Sequence, residues 1–221
     1  MRGMWLIAVV GLAACGMPAP GAPTLNPAAS AGLQQAARNY PPLILGANTV
    51  ATPGPNAVRA CPEAGSRVEQ KGGPTINFLG AVPGKPDLCR MNVGGETVEG
   101  WYGIWLTDWP GVESAYPALT RVMHGTTGHV EGFDVDIDPR HRYHDLIRNE
   151  GIERINLLGK IYTAIKVSHY REGYGTNVYR SVSTVWKDLP TGLLIYATYQ
   201  HISGTPVLED PLIPTAIVEA R

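Results

Sequence analysis

The sequence predicts a mainly β protein: a β-rich α+β fold built on a curved antiparallel sheet or partial barrel, with one or two short helices. Three observations carry that reading. Apolar residues recur at period two from Glu96 onward, the spacing that puts alternate side chains on one face of a strand. Glycine and proline are frequent, at 26 and 19 residues, and many fall between the alternating runs as turn signals. One segment alone carries a clear helix start.

Val98 to Leu106 and Leu119 to Met123 are the first expected strands. Val130 to Ile137 is another, with Phe133, Val135 and Ile137 facing in and Asp134 and Asp136 facing out. Asp138-Pro139 places a good N-cap before a proline at the first helical position, which predicts a helix there. Tyr143, Leu146, Ile147 and Glu150 would share one side of it, and Gly151 would stop it. Ile161, Thr163, Ile165 and Val167 then alternate with Tyr162, Ala164, Lys166 and Ser168. Residues 171–175 are the expected turn. Val178, Val182 and Trp186 share a face of the next run, and residues 188–192 turn the chain again. Leu193, Ile195, Ala197 and Tyr199 form the apolar face of the run after it. These last three strands make an antiparallel meander.

The N-terminus has a different character. Arg2 precedes an apolar run of eleven residues, Met4 to Ala14, the length of a signal-peptide core and too short to span a bilayer. Leu12-Ala13-Ala14-Cys15 resembles the lipobox of bacterial lipoproteins. The resemblance implies a diacylglyceryl group on the Cys15 thiol, cleavage before Cys15 and acylation of the new amine. Several acyl chains in one anchor hold a protein firmly, at about 0.8 kcal/mol per buried methylene. Gly16 stands where an aspartate retains lipoproteins at the inner membrane of enteric bacteria, which points to the outer membrane. On this resemblance residues 1–14 are expected to be a signal peptide. Residues 15–56 are the lipidated terminus and a tether. From Gly16 to Val58 the only charged residue is Arg38, and eight of the nineteen prolines fall there, a composition that makes an extended spacer. Gly32 to Arg38 could form a helical turn, and Asn39 to Leu45 a first strand. Residues 57–221 are one β-rich domain.

Composition bounds the partners. Removing Arg2 with the leader leaves 17 Lys plus Arg against 19 Asp plus Glu. No basic excess is available to neutralise phosphates, so nucleic acid is not an expected partner. No later segment has an uncharged apolar run near the length of a transmembrane helix. Once Cys15 is lipidated, Cys61 and Cys89 remain as an even pair in an oxidising compartment, and a disulfide is expected. Pro62, Gly65, Gly72, Gly73, Pro74, Pro83, Gly84 and Pro86 fill the loop it closes, so few regular elements are expected inside it.

The stretch from Thr184 to Gln200 resembles a strand–turn–strand unit of half-barrel envelope lipoproteins, both the lipoprotein-sorting carriers and the group associated with exopolysaccharide export. In the sorting carriers a curved sheet holds acyl chains on a concave apolar face. The resemblance covers 17 residues and carries no functional residue across. Separately, Trp101 and Trp105 would share one face of the aromatic run from Trp101 to Trp109, and with Tyr196 and Tyr199 they are candidates for the lining of an apolar groove on the curved sheet.

Four of the six histidines fall between positions 124 and 144. His124 and His129 would face each other across a hairpin, within about 5 Å. His141, His144 and Asp145 would share a face of the predicted helix. A zinc site from both groups is the sharp hypothesis, and surface histidines beside a turn are the plainer one, so no cofactor is expected. Asp134, Asp136 and Asp138 lack the glycine an EF-hand needs and suit a solvated strand face. Glu96, Glu99, Asp108 and Glu113 could supply a carboxylate pair for glycoside cleavage, but no serine elbow or dinucleotide glycine motif appears. The expected role is a lipid-anchored envelope protein that binds a lipid, a glycan or a protein partner without catalysis. A metal- or carboxylate-dependent envelope hydrolase and a purely structural assembly lipoprotein are the alternatives.

Overall fold

The computed structural model describes residues 58–108, 112–138, 141–174, 176, 178–205 and 211–220. The signal peptide, Cys15, the tether and its two suggested elements lie outside the described residues. The described residues form two antiparallel sheets and one helix, and the sheets are not closed into a barrel. The first sheet holds β1 (Arg67–Gln70), β2 (Ile76–Val82), β3 (Lys85–Val93), β4 (Glu96–Trp101), β5 (Trp105–Leu106) and β11 (Pro214–Val218), in the order β11-β1-β2-β3-β4-β5. The second holds β6 (Val130–Asp138), β7 (His141–Leu157), β8 (Lys160–Tyr174), β9 (Tyr179–Asp188) and β10 (Leu194–Gly204), in the order β10-β9-β8-β7-β6. The helix α1 (Val112–His124) joins β5 to β6.

The second sheet carries the core on both faces. Along β8, Tyr162 and Ala164 point one way and Ile165 and Val167 alternate to the other. Tyr162, Ala164 and Trp186 pack with Val68, Ile76, Phe78 and Met91 of the first sheet. Ile165 and Val167 pack with Ile147, Ile152, the β4–β5 turn and α1. We call this second side the helix face. Asn149 lies on it and donates to the carbonyls of Val122 and Gly125, both at 3.0 Å. It thereby satisfies C-terminal carbonyls that the helix cannot pair itself.

The structure corrects several expectations. The expected helix after Asp138 is not found among the described residues: Asp138 accepts the His141 amide at 2.9 Å, and residues 141–151 are strand, with β7 running on to Leu157. Its alternation of Tyr143, Asp145, Ile147 and Asn149 was hidden by the buried character of the other face. Gly151 marks a β-bulge, with φ +104°, rather than a helix stop. The helix lies instead at Val112–His124, where a strand was expected. Val112, Ala115, Leu119 and Val122 have helical spacing and are buried, and the helix tolerates Pro117 in its interior at the loss of one hydrogen bond. Val98 to Leu106 is two strands joined by a turn at Tyr102, whose φ is +57°. The span between Cys61 and Cys89 holds β1, β2 and the start of β3, because its glycines form hairpin turns rather than a featureless loop. Residues 171–174 extend β8 instead of turning. The expected strand at residues 130–137 and the facing of its side chains are as read, with Val135 buried and Asp134 and Asp136 exposed.

Two cross-links hold the parts together. Cys61 and Cys89 are disulfide-bonded, with Cα atoms 5.3 Å apart. Lys187, fully buried on the helix face, donates to the Tyr102 carbonyl at 2.8 Å and to the Gly192 carbonyl. It ties the β4–β5 turn to the β9–β10 turn. Burial lowers its pKa to about 7, against a smaller opposing pull from Asp188.

Candidate functional site

Strand register lays polar side chains in a band across the helix face of the second sheet. One row reads His201, Ser181, Arg171, Asp145, Phe133, from β10 to β6. The next reads Tyr199, Ser183, His169, Ile147, Glu131. Residues opposed in this way have Cβ atoms about 5 Å apart. On one side of the band lies the apolar row of Ala197, Val185 and Val167. On the other are Tyr179 and Tyr143.

The centre of the band is deeply buried and charged. Arg171 grips Asp145 with two parallel bonds, Nε to Oδ1 at 2.8 Å and Nη2 to Oδ2 at 2.7 Å. Both residues are almost fully buried, and the Arg171 guanidinium lies 4.7 Å from the centre of the Tyr143 ring. Burial would push the Asp145 carboxyl up; the charge and hydrogen bonds of Arg171, with a smaller pull from His169 beside it, outweigh it and hold the group well below the carboxylate range. Burial pulls Arg171 down, and Asp145 more than restores it. His169 Nε2 lies 3.2 Å from Asp145 Oδ1, off the hydrogen-bonding direction. Burial lowers the His169 pKa despite the carboxylate, so the imidazole is neutral at pH 7. Trp105 covers this end, its ring 4.6 Å from His169 and 5.7 Å from Phe133.

Exposure rises toward the β10 edge. Asp145 is 0% exposed, Arg171 3% and Ser181 5%, while Ser183, Tyr199 and His201 are half-buried. The Nδ1 of His201 is itself buried and has no hydrogen-bond partner among the described residues. A buried polar atom without a partner is costly, and two ring nitrogens in this state, on His169 and His201, lie in neighbouring rows of the same face. The band therefore offers hydroxyls and imidazole ring nitrogens as hydrogen-bonding groups, beside an ion pair whose charges cancel. Both oxygens of Asp145 are already engaged, which leaves that carboxylate unable to act as a base.

The structure scatters the residues singled out from sequence. Trp105 covers the band. Trp101 sits opposite it in β4 and stacks on Tyr116 of α1, ring centroids 3.8 Å apart. Tyr199 is in the band. Tyr196 is on the other face, 5.2 Å from Trp186. The four do not line one groove. The histidines between 124 and 144 are each engaged separately. His124 lies at the end of α1, 3.3 Å from the Tyr102 hydroxyl. His129 bonds Glu131 at 2.8 Å, His141 bonds Asp138 at 2.8 Å and His144 bonds Asp134 at 3.0 Å. On a strand His144 and Asp145 face opposite ways, so the shared face expected of a helix does not exist. Among the described residues no group of three or more His, Cys, Asp and Glu side chains converges as metal ligands.

Sequence reasoning missed His169, Arg171, Ser181, Ser183 and His201. A signal was present: continuing the apolar series Ile161, Thr163, Ile165, Val167 by period two gives His169 and Arg171, polar residues on an inward face. The expected turn at residues 171–175 cut that series short.

No protein-family model matches the chain, and no curated protein matches it. Among solved structures, the chain is similar to the hypothetical lipoprotein YmcC from Escherichia coli (K12), with 14% identity and a TM-score of 0.41, over 65% of this chain and 82% of that one.

Proposed function

We propose that the chain is a lipid-anchored cell-envelope protein that binds a neutral, hydroxyl-rich ligand, such as a segment of an envelope glycan, without catalysis. The observation that carries the binding role is the polar band on the helix face, opening at the β10 edge. The lipobox-like run ending at Cys15 supports the anchor, and Gly16 after it favours the outer membrane, with the domain facing the periplasm.

Ligand class follows from what the band offers. Acyl chains would have to cover the Asp145–Arg171 pair and two serine hydroxyls, leaving them without water, which is costly. An anionic ligand would find no net positive charge, since Arg171 is neutralised by Asp145. Sugar hydroxyls match the mixed donors and acceptors of Ser181, Ser183, His169 and His201, and an aromatic ring such as Tyr199 beside them offers an apolar face to a sugar. Catalysis is disfavoured because Asp145 is committed to Arg171 and His169 is not aligned to relay a proton through it.

The test is native mass spectrometry of the full chain released from detergent micelles, with titration of envelope oligosaccharides. A saccharide-mass adduct that is weakened by the Ser183→Val and His201→Leu substitutions is expected. A chain that takes up acyl-chain lipid in its place, or binds oligosaccharide equally well with both substitutions, overturns the reading.

A further inference from the structure

The β7–β8 hairpin ends in an unusual tip. Leu157 and Lys160 pair across it, and the two residues between them both have positive φ, +54° at Leu158 and +80° at Gly159. That is the two-residue turn in which Asn-Gly is strongly favoured. Glycine meets the requirement at its position, but leucine at the first is in a conformation that side-chain-bearing residues other than Asn and Asp avoid. Leu158 is nonetheless 57% exposed, and Ile161 beside it is 56% exposed. Packing against the described part of the domain repays neither residue. Arg154 is exposed on the same side of the hairpin, and Lys160, ion-paired to Glu219, is exposed as well.

The tip lies at the end of the sheet where the tether joins. The Arg59 amide donates to the Leu189 carbonyl at 3.2 Å, and the Leu189 amide donates to the Thr163 carbonyl at 2.9 Å. Thr163 is two residues from Ile161. The first described residues, Val58 and Arg59, therefore lie toward this end of the sheet. The opposite end of β8 is about 50 Å away along its fifteen residues, so a surface that meets the tip end-on leaves the other end clear of it.

We propose that the Leu158–Ile161 tip dips into the bilayer interface of the membrane that carries the anchor, with Arg154 and Lys160 at the level of the lipid phosphates. The proposal rests on the lipid-anchor reading above. Two aliphatic side chains flanked by cations fit the boundary between headgroups and acyl chains. They orient an anchored protein rather than hold it alone. The strained leucine is then retained for contact rather than for the fold.

The test uses the lipidated full chain in vesicles of phosphatidylethanolamine and phosphatidylglycerol whose acyl chains carry bromine. A tryptophan probe is introduced by Ile161→Trp, and a control probe by Val178→Trp, at a residue 60% exposed next to the far end of β8. Bromine should quench the fluorescence added at position 161 and spare that added at 178. Equal quenching at both, or none at 161, overturns the proposal. Leu158→Asn should raise the unfolding midpoint, because asparagine accepts the turn, while reducing the quenching at position 161. A lowered midpoint would show that Leu158 serves the fold and sink the argument from strain. If no acyl mass is found on Cys15, the anchor reading fails; the chain is then coupled to the same vesicles through a maleimide lipid at the Cys15 thiol, and quenching at position 161 but not at 178 supports the tip, while equal quenching at both or none at 161 overturns it.

Discussion

Lys187 offers the sharpest check on the buried architecture. Its ammonium is enclosed on the helix face between the β4–β5 and β9–β10 turns, with the Tyr102 and Gly192 carbonyls as acceptors. Burial lowers its pKa to about 7 from 10.5. The sign follows from proton binding. Between pH 7 and 10.5 the unfolded chain holds a proton on this residue that the folded chain has begun to release, so stability rises with pH across that window. Each unit of pKa is worth about 1.36 kcal/mol. The full handicap at pH well below 7 is therefore on the order of 5 kcal/mol, and about 2 kcal/mol of it should be recovered between pH 7 and 9. Lys187→Met removes that pH dependence. It also strands two buried carbonyls, at about 1–3 kcal/mol each, so its net stability at pH 7 should lie within about 2 kcal/mol of wild type. Urea unfolding of both proteins at pH 7, 8 and 9 measures the difference, with the slope against denaturant checked for constancy. Lys187→Gln, which keeps one donor, serves if the methionine variant does not fold. A wild-type rise that persists unchanged in either variant would refute the reasoning.

The Asp145–Arg171 pair should behave as a unit: Arg171→Met alone leaves a buried carboxylate and should cost about 3–5 kcal/mol, and adding Asp145→Asn should recover part of that loss in a double-mutant cycle. Reducing the Cys61–Cys89 bond, which spans 28 residues, should lower stability by about 3.5 kcal/mol on the loop-entropy estimate, read as a shift in urea midpoint between native and reduced, alkylated protein. Zinc added to the purified chain and then removed by desalting should leave no stoichiometric metal by elemental analysis, because His124, His129, His141 and His144 each face a different partner; one equivalent retained would contradict that geometry.

The β class was legible in the sequence because period-two alternation is a local signal, and it survives in β6, β8 and β9. Local signals also misled. Asp138-Pro139 starts a helix only where helical residues come next, and the next residues form a strand buried on both faces, whose apolar run satisfies either period. Pro117 hid a helix whose burial against β7 outweighs the missing hydrogen bond. The band was illegible for a different reason. Its members come from five strands, and their opposition depends on the bulges at residues 149–151 of β7 and 194–196 of β10. Pairing register is a long-range property, so residues as far apart as Asp145 and His201 could not be placed on one face from spacing alone.

Strand β8 connects the two proposed contacts. Its residues on the helix face run Ile161, Thr163, Ile165, Val167, His169, Arg171. Ile161 is exposed, Thr163 is half-buried, and Ile165 and Val167 lie under α1 at 2% and 3% exposure. His169 and Arg171 then enter the polar band. One continuous strand thus passes from an apolar tip, through the packed core, to a hydrogen-bonding surface. Eight residues separate Ile161 from His169, about 26 Å along an extended strand. If the tip rests at the bilayer interface, the core acts as a rigid spacer that holds the band above the headgroups, where a water-soluble glycan can reach the β10 edge. An acyl-chain carrier would need the opposite order, with its apolar surface open and nearest the lipid. Here the apolar part of the helix face is filled by α1 and Trp105, and the surface left to bind is polar.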